Sequence, residues 1–173
     1  FGPVAEECRA VRERVGVLDL TSFAKFEVAG RDAETLLNRL YANRMPAKAG
    51  GITLAHQLTD GGLIESEATI TRLGADRFYI LAAGSAQIRD FDMLNHGRLP
   101  GEQVTISDVS DDFGCLLVTG PRAREVLAGL TSADLSSAAF PWLSAAEIDV
   151  AGVPVRALRV SYAGELGWEL HAA

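Results

Sequence analysis

Two glutamates in the segment IESEATIT, residues 64–71, could carry acid–base chemistry. Side chains alternate between the two faces of a β-strand, so Glu65 and Glu67 share one face with Thr69 and Thr71. Neighbours on that face would be about 6.6 Å apart along the strand. The pattern allows two interpretations: a face in contact with water, or a pair of carboxylates lining a cleft, one of them a general base or proton donor.

A second polar cluster lies in SYAGELGWELH, residues 161–171. Strand alternation places Trp168 inward, and puts Glu169 with His171 on the opposite face, across a turn from Tyr162. An aromatic ring beside a carboxylate suits a flat heterocycle with adjacent N–H donors, which a carboxylate binds with both oxygens. The alternative is a tyrosine packed on its own hairpin and a glutamate exposed to water.

The histidines and cysteines do not predict a metal centre. His56, His96 and His171 have no mutual spacing typical of a metal site, and a structural role is expected for each. Cys8 falls in a predicted helix and Cys115 in a predicted buried strand, where both are expected to be small core residues. We therefore expect no bound metal.

These candidates depend on a strand–glycine–helix unit that occurs twice. FAKFEVAGRDAETLLNRL (23–40) aligns with FGCLLVTGPRAREVLAGL (113–130), and each copy predicts a strand, a sharp turn and an amphipathic helix. Identical residues stand at Phe23/Phe113, Val28/Val118, Gly30/Gly120, Ala33/Ala123, Leu37/Leu127 and Leu40/Leu130. The pattern predicts an internal duplication, with repeats of about 17–100 and 107–173. Convergence on the same local pattern is the alternative.

The remaining segments predict hairpins and one further helix. Hairpins are expected around TDGG and around the AG of EIDVAGVPVRALRV. GSAQIRDFDML predicts a helix with Ser85 near its N-cap and with Ile88, Phe91 and Leu94 facing inward. AKFEV predicts a half-buried strand, in which Lys25 alternates with apolar residues. The order of elements predicts an α+β fold with mixed or antiparallel sheets, packed helices and two related lobes.

Composition narrows the possible partners. The formal charge of −7 argues against nucleic acid, whose phosphates need a basic surface. No apolar run approaches the ~20 residues of a membrane span. Fourteen arginines against two lysines suggest a GC-rich bacterial gene and so a bacterial cytoplasm. The chain begins with Phe1 rather than methionine, so a piece of something longer is expected.

Longer stretches resemble a known family. They are FGPVAEECRAVRERVGVLDLTSFAKFEVAGRDAETLL, ANRMPAKAGGITLAHQLTDGGLIESEATITRL, DDFGCLLVTGPRAREVL and RVSYAGELGWELH. Together they resemble the folate-binding region of dimethylglycine and sarcosine dehydrogenases, which is similar to the aminomethyltransferase (T-protein) of the glycine cleavage system. SFAKFEVAG, LTSADLS and GELGWELH resemble the dehydrogenase branch more than the T-protein.

This resemblance implies tetrahydrofolate as cofactor and assigns roles by position. Glu67 matches the family's essential acidic residue, usually aspartate in the T-protein, and implies a catalytic carboxylate near the reacting nitrogens. Tyr162 and Glu169 match the residues that contact the pterin ring, and Thr69 matches a strand that lines its pocket. Weaker candidates on the same strands or their partners are Leu54, Thr71 and His171.

The resemblance also implies a longer parent enzyme. There, an amino-terminal FAD domain, absent from this sequence, oxidises an N-methylated glycine to an iminium, and the folate domain captures the one-carbon unit as 5,10-methylenetetrahydrofolate. The implied partners are folate, the iminium donor and that flavin domain. The family region continues beyond His171, so residues 1–173 are expected to be a single folate-binding region that is incomplete at its carboxyl end.

Three alternatives remain open on the sequence. A non-catalytic binding or assembly module could keep the fold without the transfer chemistry. A stand-alone aminomethyltransferase could act on another methyl donor. The parent could be an oxidase rather than a dehydrogenase, and in a eukaryote the mitochondrial matrix would replace the bacterial cytoplasm.

Overall fold

Two five-stranded sheets organise this computed structural model, in which residues 2–173 are described. Every strand pair among those residues is antiparallel. One compact unit is Ser22–Asp112, and the other combines the described part of Phe1–Thr21 with Phe113–Ala173. The predicted α+β class is confirmed, and the sheets are antiparallel rather than mixed.

The helices and strands follow the predicted order. They are α1 (Gly2–Glu13), β1 (Gly16–Asp19), β2 (Ala24–Ala29), α2 (Ala33–Leu40), β3 (Ile52–Leu58), β4 (Ile64–Gly74), β5 (Arg77–Ala82), α3 (Gln87–His96), β6 (Thr105–Asp108), β7 (Gly114–Thr119), α4 (Ala123–Ala128), β8 (Ser144–Val150), β9 (Val153–Arg159) and β10 (Gly167–Ala172). None of the helices among these described residues is long and apolar enough to span a membrane.

The two sheets have the same strand order. One runs β3-β4-β5-β2-β6 and the other β8-β9-β10-β7-β1. β1 comes just before β2 in the sequence, but it pairs with β7. In the same way, β6 comes just before β7, but it pairs with β2. Each proposed repeat therefore gives its first strand to the sheet built mainly by the other repeat, and the structural units do not coincide with the repeats.

Gly30 and Gly120 make the same turn after β2 and after β7. Their φ angles are +134° and +125°, a region that favours glycine. A Cβ at Gly30 would lie 2.1 Å from the carbonyl oxygen of Gln103, and one at Gly120 would lie 2.7 Å from that of Arg14. Both positions therefore require glycine for two reasons: the backbone angle and the close approach of another backbone segment.

Each sheet buries one apolar face under its own helix. In the unit Ser22–Asp112, the core includes Phe26, Val28 and Ile80 of the sheet with Leu36 and Leu37 of α2. In the other unit, Trp168 is fully buried and packs edge-to-face on Phe140, with ring centroids 6.2 Å apart. The alternation that defines these faces also fixes which side chains point the other way.

Two expectations for the helices are wrong. Cys8 is exposed, because α1 has no buried residue in this chain. Ile88 is 81% exposed, since Asp90 and Leu94 occupy the buried side of α3 instead. The buried carboxylate of Asp90 accepts a hydrogen bond from Ser66 Oγ at 2.8 Å, which explains how a charged residue takes that side. Ser85 lies next to Ala86, the N-cap of α3, as expected.

Candidate functional site

The β3–β4 hairpin presents Glu67 to solvent beside a histidine. His56 and Glu67 are directly opposite in the antiparallel register, and His56 Nε2 lies 2.9 Å from Glu67 Oε2. The two side chains are 32% and 48% exposed, so the pair is accessible to a ligand. Glu65 lies two residues earlier on β4 and is exposed.

The same face of this sheet continues from Glu67 into a mixed polar and apolar surface. Thr69 stands between Leu54 of β3 and Leu81 of β5, and Thr71 lies in the next row. Leu54 is 44% exposed, and Thr69 is half-buried. The hairpin therefore brings together the predicted residues Glu67, Thr69, Leu54 and Thr71 on one face.

Thr71 has a buried hydroxyl without a partner. The residue is 0% exposed, and its Oγ1 has no hydrogen-bond partner among the described residues. Buried polar groups are usually hydrogen-bonded, because leaving one unpaired costs about 1–3 kcal/mol. This unpaired hydroxyl lies on the same face as Glu67 and Thr69, below the part of that face that is exposed to solvent.

Lys25, on β2 of the same sheet, corrects the expectation of a half-buried strand. It is 0% exposed, and its ammonium group donates to the carbonyl oxygens of Phe23 and Ser110 at 3.0 and 3.2 Å. Its charge also acts on Asp108: burial raises the pKa of this carboxyl, but hydrogen bonds from Gln87 and Ser110, together with Lys25, outweigh that effect and lower it.

In the other unit, β10 carries Glu169 on a buried polar face. Glu169 is 8% exposed and His171 is 1% exposed. His171 Nε2 lies 3.2 Å from Glu169 Oε2 and 3.6 Å from Cys115 Sγ of the neighbouring strand β7. An ionised carboxylate only accepts, so the histidine donates to Glu169. Glu169 Oε1 accepts no hydrogen bond from the residues that the structure describes.

Cys115, Glu169 and His171 also place their ligand atoms within 4.8 Å of one another, a spacing that a metal ion could use. The sequence did not indicate this group, because its members come from two strands separated by about fifty residues in the chain. The contacts of His171 with Cys115 and with Glu169 are also within hydrogen-bonding distance, and these hydrogen bonds account for the group.

The segment SYAGELGWELH forms a loop, residues 160–166, followed by β10. Tyr162 is 95% exposed in this loop, whereas Glu169 is buried in the strand. Ser161 Oγ is buried without a hydrogen-bond partner among the described residues. Glu165, in the same loop, forms an ion pair with Arg12, and 14% of its side chain is exposed. The structure therefore places Tyr162 and Glu169 on one hairpin without bringing their side chains into contact.

His56 is the site residue that the sequence interpretation missed. The signal that could have found it is the hairpin register, because in an antiparallel pair the numbers of opposed residues have a constant sum. Pairing Leu54 with Thr69, its neighbour in the predicted site, places His56 opposite Glu67. Histidine spacing alone contains no such information, since the partner is a carboxylate on the next strand.

Comparison with known proteins identifies relatives over the whole chain. The family of the GCVT N-terminal domain matches residues 1–173. Mouse (Mus musculus) mitochondrial dimethylglycine dehydrogenase is 40% identical over 172 residues, which cover 99% of this chain and 20% of the relative. Sarcosine oxidase subunit alpha of Corynebacterium sp. (strain P-1) is 34% identical over 173 residues, covering 96% of this chain and 18% of the relative.

A solved structure shows the same fold. The aminomethyltransferase T of the glycine cleavage system from Bartonella henselae superposes with a TM-score of 0.83 at 23% sequence identity. The match covers 98% of this chain and 45% of that one. The chain spans about a fifth of the length of the two curated relatives above.

Proposed function

The chain belongs to the family of the GCVT N-terminal domain, and from this premise we propose that it binds tetrahydrofolate. In this proposal it accepts a one-carbon unit from an oxidised N-methylglycine, and 5,10-methylenetetrahydrofolate is the product. The whole reaction belongs to a longer dehydrogenase or oxidase, as the names of the mouse and Corynebacterium relatives suggest. In this proposal FAD is bound by another domain of that longer protein.

The proposal depends mainly on the burial and the hydrogen bonding of the Glu169 carboxylate. Its carboxylate is buried, and among the described residues only His171 donates a hydrogen bond to it. A buried carboxylate needs more than one donor to offset its lost hydration. The adjacent N3–H and 2-amino donors of a pterin ring would satisfy both of its oxygens, so Glu169 fits this ligand.

Other residues of the chain take supporting roles in the proposal. Tyr162 would cover the ring from its exposed loop, which requires the loop to close on the ligand. Thr69, Leu54 and the unpaired hydroxyl of Thr71 would line the face that carries Glu67. Folate supplies nitrogen nucleophiles that capture the one-carbon unit. Glu67 would orient the reacting nitrogen and accept its proton, since an amine attacks only with a free lone pair.

Glu67 stands where the T-protein usually has aspartate. The extra methylene displaces the carboxylate by about 1.5 Å, a change that matters because small displacements of a reacting group can lower its rate about 100-fold. Glu67 is half-exposed and hydrogen-bonded to His56 in this chain, so its carboxylate has a defined position.

We also propose partners and a compartment for the longer protein. The Corynebacterium relative is named as a subunit, which supports assembly with other chains. The mouse relative is named as mitochondrial, which supports the mitochondrial matrix for a eukaryotic protein; the arginine-rich composition supports a bacterial cytoplasm here. Oxidation of the amine itself would belong to the FAD domain.

One observation favours a second candidate, a folate-fold module that assembles with other domains without transfer chemistry. Tyr162 is 95% exposed and does not contact Glu169, so the pterin contacts are not preformed. An assay of the natural full-length protein separates the two candidates. With dimethylglycine or sarcosine as substrate and tetrahydrofolate present, a transferring domain yields 5,10-methylenetetrahydrofolate faster than free formaldehyde and folate combine. A module without transfer chemistry releases formaldehyde at the same rate with or without folate.

A further inference from the structure

The contact between His56 and Glu67 is built into the hairpin. The two residues are opposite each other in the register of β3 and β4, and the same register pairs Leu54 with Thr69 and Ile52 with Thr71. Opposed residues in an antiparallel pair have Cβ atoms about 4.5–5.5 Å apart, which leaves the two side chains room to meet above the sheet. The contact at 2.9 Å therefore follows from the strand pairing itself.

The backbone around His56 is anchored on its other side as well. Its carbonyl oxygen accepts a hydrogen bond from the backbone N–H of Ala42 at 2.8 Å. Asn43 Nδ2 donates to the carbonyl oxygen of Leu54 at 2.7 Å. The imidazole of His56 thus projects from a strand segment whose backbone is hydrogen-bonded on both sides. It can therefore hold the flexible side chain of Glu67 in one position.

Hydrogen-bond chemistry fixes the direction of the contact. The carboxylate of Glu67 can only accept, so His56 donates from Nε2–H. Only Oε2 of Glu67 is engaged, and Oε1 accepts no hydrogen bond from the described residues. One carboxylate oxygen is held in place, while the other remains available to a ligand.

A half-exposed glutamate needs such a restraint. It has one more rotatable bond than aspartate, and its carboxylate can occupy several rotamers in water. With 48% of its side chain exposed, packing does not select one rotamer for Glu67. The hydrogen bond from His56 selects one rotamer, because it holds Oε2 of Glu67 at an imidazole whose backbone position is fixed by the strand.

We propose that His56 is a positioning residue for Glu67. Its Nε2–H holds Oε2, so that Oε1 faces the proton of the reacting nitrogen. This inference rests on the proposed function, since it assigns His56 to the same site. It predicts that His56 affects the rate of transfer far more than the affinity for folate, and that it acts by donating a hydrogen bond rather than by carrying a proton.

Kinetics of the natural full-length protein test the role. His56→Ala is expected to lower kcat for methylene transfer about 10- to 100-fold, with less than a twofold change in the Kd for 5-formyltetrahydrofolate. His56→Gln keeps an N–H donor at a similar reach and is expected to retain most of kcat. The control is His96→Ala, because His96 is exposed and the one hydrogen bond of its ring within the described part of the chain is to the carbonyl oxygen of Asp92 in its own helix. That control is expected to leave both quantities unchanged.

A double-mutant cycle shows whether His56 acts through the carboxylate of Glu67. Glu67→Asp shortens the side chain and takes the carboxylate out of reach of His56. Adding His56→Ala to Glu67→Asp is therefore expected to produce no further loss of kcat. Losses that simply multiply would overturn the proposal, because the two residues would then act independently.

A spectroscopic measurement on the 173-residue chain needs no activity. With isotope-labelled histidine, three imidazoles are observed, and substitution of each histidine assigns them. His56 is expected in the Nε2–H tautomer, and Glu67→Ala is expected to release it into a mixture of both tautomers. Glu65→Ala is the matched control, because Glu65 is an exposed glutamate of the same strand while the residue paired with His56 is Glu67, and it is expected to leave the tautomer unchanged.

The outcomes separate this inference from the proposed function. If the full-length protein neither binds folate nor transfers a one-carbon unit, the proposed function fails and this inference fails with it. If transfer occurs but His56→Ala leaves kcat unchanged, only the positioning role fails. An inactive His56→Gln combined with recovery of His56→Ala by added imidazole would also overturn it, since His56 would then carry a proton.

Discussion

Thr21 and Ser110 occupy equivalent positions in the two sheets. The Thr21 hydroxyl accepts the backbone N–H of Cys115 at 3.1 Å, and the Ser110 hydroxyl accepts that of Lys25 at 2.9 Å. Each hydroxyl residue follows an aspartate by two positions, and Asp19 and Asp108 accept their backbone N–H groups at 2.9 and 3.0 Å.

The internal duplication that we propose would account for this correspondence. Lys25 and Cys115 are matched positions of the two segments that the sequence aligns, and β1 and β6 have the same register against β7 and β2. A shared strand–turn–helix pattern would not reproduce the polar contacts of the edge strands. These contacts support our proposal that the chain arose by internal duplication, with repeats of about 17–100 and 107–173.

Asp108→Asn is expected to destabilise the chain in a pH-dependent way. The folded-state pKa of Asp108 is lowered by hydrogen bonds from Gln87 and Ser110 and by Lys25, which outweigh the effect of burial. A depressed carboxyl pKa contributes stability above the unfolded-state pKa of about 4, and this contribution is lost as the pH falls through the folded-state pKa. Denaturant unfolding at pH 7 should show a loss of no more than about 1 kcal/mol, because the carboxylate is exposed.

The difference between Asp108→Asn and the wild type should shrink as the pH falls below about 4. Asp111→Asn is the control, since Asp111 is an exposed aspartate of the same turn. A stability difference that stays constant from pH 7 down to pH 3 would contradict the assignment.

Glu67→Ala is expected to separate binding from transfer. The side chain is half-exposed and its hydrogen bond is to His56, so its removal should not disturb the core. Loss of a general base slows a reaction about 10²- to 10⁴-fold, while the Kd for 5-formyltetrahydrofolate should be nearly unchanged. Single-turnover kinetics of the full-length protein and calorimetry measure the two quantities. Equal losses in both would show that Glu67 only binds.

Thr71→Val tests the unpaired hydroxyl. Removing a buried polar atom that has no partner avoids a desolvation cost of about 1–3 kcal/mol, so the variant should be at least as stable as the wild type. If the hydroxyl serves folate, the same variant should bind 5-formyltetrahydrofolate more weakly, by about 1 kcal/mol. Thermal unfolding and calorimetry check the two halves. A clearly destabilised variant would mean that the hydroxyl has a partner inside the protein.

Tyr162→Ala is expected to weaken folate binding without changing stability. The side chain is 95% exposed and contributes little to the folded chain by itself. Covering a heterocycle would contribute about 1 kcal/mol, or roughly a fivefold change in Kd. Tyr162→Phe retains the ring and should bind like the wild type. If the alanine variant also binds like the wild type, Tyr162 does not contact the pterin.

Much of the fold could be predicted because it depends on local patterns. The alternation from Ser66 to Ile70 and the alternation in WELH agree with the faces of β4 and β10, but a register shift between Ile64 and Ser66 interrupts the pattern, and Ile64 is exposed. The repeated strand–glycine–helix units were placed correctly. The family and the aminomethyltransferase fold were predicted from longer motifs, and the family match over residues 1–173 and the T-protein superposition confirm them.

The rest depends on contacts that a local pattern does not contain. Lys25 alternates with apolar residues as a solvent-facing residue would, but it is buried, and its ammonium group donates to the backbone carbonyl oxygens of Phe23 and Ser110. His56 and Glu67 meet through a register, and Cys115 meets His171 through a pairing of distant strands. A hydrophobicity scale predicts that Ile88 is buried and Asp90 exposed. In the structure Asp90 is buried and Ile88 is exposed.

The most direct test of the central claim is a calorimetric titration of the 173-residue chain with 5-formyltetrahydrofolate, repeated with Glu169→Gln. The substitution keeps the shape of the side chain and removes its charge. We predict saturable one-to-one binding by the wild type and a loss of about 1–3 kcal/mol in the variant, a Kd roughly 5- to 150-fold higher. Absence of binding, or the same Kd for both proteins, would contradict the assignment of Glu169 to the pterin ring.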